Sequence, residues 1–233
     1  MVIGVPRSGT TLLASMIGVH PDAAILIEDV TLAFTSIVGK QVTGNKLCVP
    51  NQIEMVRRAT LLTRILNKVG FSLRWPTARY SIMEHLRLEG SQIIGIIRNP
   101  HDVVASIMRR GKQSRAEAIY RWTRGIEILN SLVQQVPDRI LIVAYESLVR
   151  EPERTMRGIS SFLDLRFDSV MLEGFRHNPI YPGQSSLDAS RASNARMTPD
   201  ANVPSDLRQV FGKYEELVAK SVEHMGSHDT MVE

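Results

Sequence analysis

The chain has 233 residues, of which 43% are hydrophobic, and a formal net charge of +4. That composition excludes disorder as the overall state and suits one α/β domain with a full-sized core. The single Cys48 excludes an internal disulfide and a Cys-based zinc site, and no apolar run approaches the ~18 residues of a membrane span. The basic excess fits an anionic ligand. The arginines are dispersed without interleaved aromatics, so nucleic acid is not an expected partner. Nothing at the N-terminus reads as a signal peptide, and cysteine poverty fits a reducing, cytoplasmic setting.

In chain order, the apolar Met1 to Ile3 reads as a strand running into Gly4-Val5-Pro6-Arg7-Ser8-Gly9-Thr10-Thr11. Thr10 to Val19 is a helix, with Leu12, Leu13, Met16 and Ile17 at helical spacing. His20-Pro21-Asp22 ends it, and Ala23 to Ile27 is a second strand stopping at Glu28-Asp29. Thr31 to Val38 reads as helix, Gly39 to Pro50 as loop, and Gln52 to Val69 and Ala78 to Leu88 as helices. Gln92 to Ile97 is the clearest buried strand, followed by Arg98-Asn99-Pro100 and a helix from Val103 to Arg110 capped by Asp102. Ala116 to Val136 is a long helix, Arg139 to Ala144 a fourth strand, and Glu151-Pro152 opens a helix to Leu163. Residues 177–206 read as a loop that folds over a ligand, Asp206 to Met225 as the last helix, and 226–233 as a frayed tail. No repeat or linker splits the chain, so 1–233 is one domain. The fold class is α/β: a three-layer parallel sheet of about four to five strands with helices on both faces, of the P-loop nucleotide-binding type. Ligands are expected at the carboxyl ends of its strands.

The first loop keeps the glycine spacing of a phosphate-cradling P-loop, but Thr10 stands where the P-loop lysine belongs. Arg7 supplies charge from inside the loop, and backbone N–H groups at the helix N-terminus can still wrap an anion. Arg98 at a strand end, with Ser106 on the next helix, makes a second anion pocket. Two such pockets suit a ligand phosphorylated at two positions. They do not suit a linear triphosphate.

These segments resemble the sulfotransferases that use 3′-phosphoadenosine 5′-phosphosulfate (PAPS). Gly4 to Leu12 is similar to the family's 5′-phosphosulfate loop, and Arg98 to Ser106 to its 3′-phosphate element. Tyr145-Glu146-Ser147-Leu148 with Pro152, and Phe162-Leu163-Asp164-Leu165, resemble two later family segments in the family's order. The likeness is nearest to tyrosylprotein sulfotransferases and related bacterial enzymes, on His20-Pro21-Asp22, Glu28, Arg110 and Tyr145.

The resemblance implies sulfuryl transfer, in line, from PAPS to an acceptor hydroxyl or amine, leaving 3′-phosphoadenosine 5′-phosphate without a metal. It assigns Glu28 as general base and Arg7 and Lys46 to the departing oxygen, Lys46 on the looser match of Gly44-Asn45-Lys46. Arg7, Ser8, Gly9, Thr10, Thr11, Arg98, Ser106, Arg110 and Tyr145 are the expected cofactor contacts. Arg191, Ser193 or Arg196 is left for a C-terminal contact, and a small molecule, carbohydrate or peptide for the acceptor; a homodimer is open. Plainer readings stand beside these. Glu28 also reads as a helix N-cap, Arg110 as a cation at a helix C-terminus, and Tyr145 as a core tyrosine. The rival activity is a P-loop nucleotide or small-molecule kinase, disfavoured by Thr10 and by the lack of an acidic Mg²⁺ site after a strand.

Overall fold

The computed structural model describes residues 1–29, 32–53, 82–111, 113–180, 187 and 205–226. Its centre is a parallel sheet of five strands: β1 (Val2–Gly4), β2 (Ala23–Ile27), β3 (Val42–Cys48), β4 (Ile93–Ile97) and β5 (Ile140–Ala144). They lie in the order β2-β3-β1-β4-β5. The helices are α1 (Thr10–Gly18), α2 (Ile82–Leu86), α3 (Pro100–Gly111), α4 (Arg115–Gln135), α5 (Tyr145–Arg150), α6 (Pro152–Phe162) and α7 (Ser205–Gly226).

The pleat alone sorts the strand residues between two cores. Ile3, Ile93, Ile97, Ile140 and Ile142 face Trp122, Ile126 and Leu129 of α4 and Tyr214 and Leu217 of α7. Val2, Ile94, Ile96, Leu141 and Val143 face Leu13, Met16 and Ile17 of α1 and Met156 and Ile159 of α6. Covered on both sides, β4 and β5 are continuous apolar runs, which is why they were legible as strands. Gly125 lets α4 approach closely: a Cβ there would sit 2.3 Å from Val5 Cγ2, at the start of the first loop.

The segment 39–50, expected to be loop, holds a full strand. β3 pairs with β1 through Val2↔Lys46 and Ile3↔Leu47, and with β2 through Ile25↔Gly44 and Ile27↔Lys46. Its Val-Thr-Gly-Asn-Lys-Leu-Cys sequence has a weak strand signature. Ladder bonds to neighbours on both sides override it. Between β2 and β3 the helical stretch shrinks to a 3₁₀ turn, Ala33–Ser36. Asp102 lies inside the first turn of α3, not before it, because the helix begins at Pro100. After α6, Ser169–His177 is a 3₁₀ segment whose Gly174 packs against the Ser15–Met16 backbone of α1. The α7 helix begins at Ser205 and includes Gly226, so both flanking expectations shift by a residue or two. The expected helix from Gln52 to Val69 lies beyond residue 53, outside the described residues, as do 78–81, Arg191, Ser193, Arg196 and 227–233.

β2 and β3 lie on one side of β1 and β4 and β5 on the other, so the strand order reverses at β1. A crevice opens at such a switch point, outside the carboxyl ends of the strands. Glu28, Arg98 and Tyr145 directly follow β2, β4 and β5, Arg7 lies in the loop after β1, and Lys46 lies within β3 near its carboxyl end.

Candidate active site

The loop from Val5 to Gly9 is a tight backbone nest. Arg7 has φ 78° and Gly9 φ 99°, both left-handed. Ser8 spends both its donors inside the loop: its N–H and its hydroxyl reach the Val5 carbonyl at 3.0 and 2.7 Å. Ser8, an expected cofactor contact, thus also shapes the loop. Gly9 is required twice over, by its φ and because a Cβ would stand 2.6 Å from Tyr145 Cδ2. No side chain caps α1. Its first-turn N–H groups, from Thr10 and Thr11 among others, are left without intrahelical partners at the positive end of the helix dipole.

Two guanidinium groups meet this helix end. Arg7 Nε donates to Ser106 Oγ at 3.1 Å, and Arg98 Nη1 reaches the Arg7 carbonyl at 3.4 Å. The two predicted anion pockets thus join edge to edge. Arg98 also contacts Asp102 Oδ2 at 3.4 Å, and its guanidinium lies 4.1 Å from the Tyr145 ring centroid. The Tyr145 ring fills the space between Gly9 and Arg98. Asp102, Ser106 and Arg110 are spaced four apart, so they form one stripe of α3, with Arg110 exposed at its far end.

Beside the nest, Lys46 Nζ donates to Glu28 Oε1 at 2.6 Å. The lysine side chain is 2% exposed and the glutamate 41%. Burial works against the Lys46 charge, but the Cys48 sulfur and the Glu28 carboxylate outweigh it and hold the ammonium above its ordinary 10.5. Burial pushes the Cys48 thiol up from 9.0, in spite of Lys46. That sulfur lies 4.0 Å from both Thr10 Oγ1 and Glu28 Oε1, linking the nest to the carboxylate.

Glu28 itself has φ 60°. It is held there by β3: its N–H donates to the Lys46 carbonyl at 2.8 Å, and Asn45 Nδ2 donates to the carbonyl of Asp29. Asp29 Oδ2 accepts the N–H of Ala33, the first residue of the following 3₁₀ turn, at 3.0 Å. The N-cap of that turn is Leu32, so Glu28 does not take that position, and its side chain is 41% exposed. His20 is buried and ties α1 to the chain beyond α6. Its Nδ1 accepts from Asp22 N at 3.0 Å, so Nε2 donates to the Arg166 carbonyl at 2.9 Å.

Sequence reasoning passed over Asn45, Cys48 and Glu146. Asn45, though part of the Gly44-Asn45-Lys46 match, and Cys48 were given no site role because their segment read as loop. Glu146 was part of a recognised segment, but only its burial at 1% marks it as unusual for a glutamate.

An anion with phosphates at two positions fits this donor set. An uncapped helix end, two guanidinium groups, an ammonium and the Ser106 hydroxyl converge at one edge, with a glycine cradle that any Cβ would fill.

Comparison with known proteins agrees with this chemistry. Residues 78–169, which include the Arg98 element, match the sulfotransferase family. A protein-tyrosine sulfotransferase of Drosophila melanogaster is 28% identical over 204 residues, covering 76% of this chain and 40% of that protein. Protein-tyrosine sulfotransferase 1 of Danio rerio is 26% identical over 196 residues, covering 72% of this chain and 54% of that one. The chain thus spans about half the length of these relatives. Among solved structures, the sulfotransferase domain of the Synechococcus PCC 7002 olefin synthase shares the fold, with TM-score 0.59, 20% identity and 93% of each chain covered.

Proposed function

We propose that the chain, which matches the sulfotransferase family over residues 78–169 and is similar to protein-tyrosine sulfotransferases, transfers a sulfuryl group from PAPS to an acceptor hydroxyl or amine. The observation that carries the donor assignment is the joining of two cationic nests, Arg7 on Ser106 and Arg98 on the Arg7 carbonyl. A linear triphosphate has no use for two such pockets. A nucleoside with phosphates on its 3′ and 5′ positions does.

When bound, PAPS supplies the electrophilic sulfuryl group and leaves as the 3′,5′-bisphosphate. Gly9, Thr10 and Thr11 offer backbone N–H groups to the 5′ side, with Arg7 beside them. Arg98 and Ser106 hold the 3′-phosphate, and Arg110 extends the same stripe of α3. Tyr145 keeps the Arg98 guanidinium flat and excludes water beneath it. Glu28 takes the acceptor's proton, a role worth ~10²–10⁴-fold in rate. Lys46 stands between base and nest: it orients the carboxylate by direct contact and brings a fixed positive charge to the leaving side, where such donors supply roughly 3–4 kcal/mol each.

The relatives' names make a tyrosine-containing peptide the first acceptor to assay. Small alcohols, phenols and sugars complete the panel. The test is transfer of labelled sulfate from PAPS across that panel, beside a thermal-shift comparison of 3′,5′-bisphosphate without Mg²⁺ and ATP with Mg²⁺. Stabilisation by the bisphosphate and label transfer support the reading. Stabilisation by ATP–Mg²⁺ alone moves the chain to the kinase alternative.

A further inference from the structure

Glu146 is a carboxylate at 1% exposure, placed in the first turn of α5 directly after β5. Its Oε1 accepts the Asn99 N–H at 2.9 Å. Its Oε2 has no hydrogen-bond partner among the described residues. Asn99 follows Arg98, and Asn99 Oδ1 in turn accepts the His101 N–H at 2.9 Å, which turns the chain into α3. One carboxylate oxygen therefore pins the corner from which Arg98 leaves β4 and from which the Asp102–Ser106–Arg110 stripe begins.

A buried glutamate with half its hydrogen-bonding capacity unused is costly, and an apolar residue there would cost less. Burial, foremost, raises its pKa above 4.5, against the Asn99 bond, its own backbone N–H and the Arg98 charge. From α7, Tyr214 presents a buried hydroxyl that also has no partner among the described residues. The groups facing Glu146 electrostatically are thus Arg98, Asp102 and Tyr214. The arrangement supports the local backbone at one point and offers little else to stability.

We propose that Glu146 is the positioning residue of the second anion nest, aiming Arg98 and the start of α3 at the 3′-phosphate through its bond to Asn99 N. This rests on the PAPS reading above. What matters is an acceptor oxygen at glutamate's reach. Gln keeps the reach and the acceptor without the charge, whereas Asp keeps the charge and falls one methylene short.

Isothermal titration of adenosine 3′,5′-bisphosphate and adenosine 5′-monophosphate decides it, on the wild type, Glu146→Gln, Glu146→Asp and Glu146→Ala. The wild type prefers the bisphosphate, and Glu146→Gln keeps that preference within about threefold. Glu146→Asp and Glu146→Ala reduce it by about tenfold, with monophosphate affinity within about twofold of the parent. Should the Ala variant fail to fold, the ranking of Gln above Asp carries the result alone. The opposite ranking, or equal losses for both nucleotides, overturns the positioning role while the wild-type preference stands. A wild type without that preference overturns the PAPS reading, and this proposal with it.

Discussion

Glu28 and Lys46 are bound to each other, Oε1 to Nζ at 2.6 Å, across the ends of β2 and β3. The same two residues share a backbone bond, Glu28 N to the Lys46 carbonyl at 2.8 Å. Carboxylate and ammonium are thus one unit built by adjacent strands, with the lysine inside and the carboxylate reaching outward. Any change to one is felt by the other.

Glu28→Gln is expected to lower turnover by ~10²–10⁴-fold, with 3′,5′-bisphosphate affinity nearly unchanged. Turnover within a few-fold of the parent would remove Glu28 from the base role. The variant also leaves the buried ammonium facing a neutral amide. Because the Glu28 side is half in water, the expected stability loss is modest, about 1–2 kcal/mol by urea unfolding.

The Lys46–Cys48 pair predicts alkaline sensitivity. Both groups hold their protons more tightly in the folded state than their ordinary values of 10.5 and 9.0. The folded state therefore binds more protons as pH climbs past 9.0, and stability present below that pH is lost as pH rises through the folded values. Lys46→Met with Cys48→Val should flatten the decline between pH 8 and pH 11, measured as urea midpoint against pH. A decline of unchanged slope in the double variant would place the titrating groups elsewhere.

Glu146 works in a lower pH window with the same sign. Its pKa is raised above 4.5, mainly by burial. Its protonated form suits the fold better, so the stability it contributes is full below 4.5 and falls as pH rises through the folded value. Relative to wild type, Glu146→Gln should gain stability between pH 4 and pH 8. A constant difference across that range would mean the carboxyl does not titrate there.

Gly125 lies in α4, far in sequence from the nest, yet Gly125→Ala forces a Cβ against Val5 Cγ2. Val5 supplies the carbonyl that holds both donors of Ser8. We expect a loss of roughly 1–3 kcal/mol from overpacking and a weaker grip on the bisphosphate. Unaltered nucleotide affinity in a destabilised protein would show that the helix yields and the loop does not.

Arg98→Ala is expected to weaken the bisphosphate by ~10-fold or more and the 5′-monophosphate far less, since charge-assisted bidentate contacts are among the stronger polar ones. Arg98→Lys should recover only part of the loss, because an ammonium cannot lie flat on the Tyr145 ring. Equal recovery by Lys would make the stacking on Tyr145 irrelevant to binding.

By itself the sequence determined the parallel α/β class, because apolar runs such as Ile93 to Ile97 and Ile140 to Ala144 can be buried only under helices on both faces. It also determined the tight first loop, since Gly9 in its left-handed turn is a local matter of backbone sterics. Only the tertiary structure decided that Val42 to Cys48 is a strand. Its glycine, asparagine and lysine argue for a loop until ladder bonds from β1 and β2 hold them. That strand buries Lys46 against Glu28 and puts Asn45 on the carbonyl of Asp29. The pinning of Asn99 by Glu146 is likewise a product of assembly, because the two residues meet only when β4 and β5 lie side by side. Local chemistry is written in neighbouring residues, whereas a buried charge depends on what the rest of the chain brings to it.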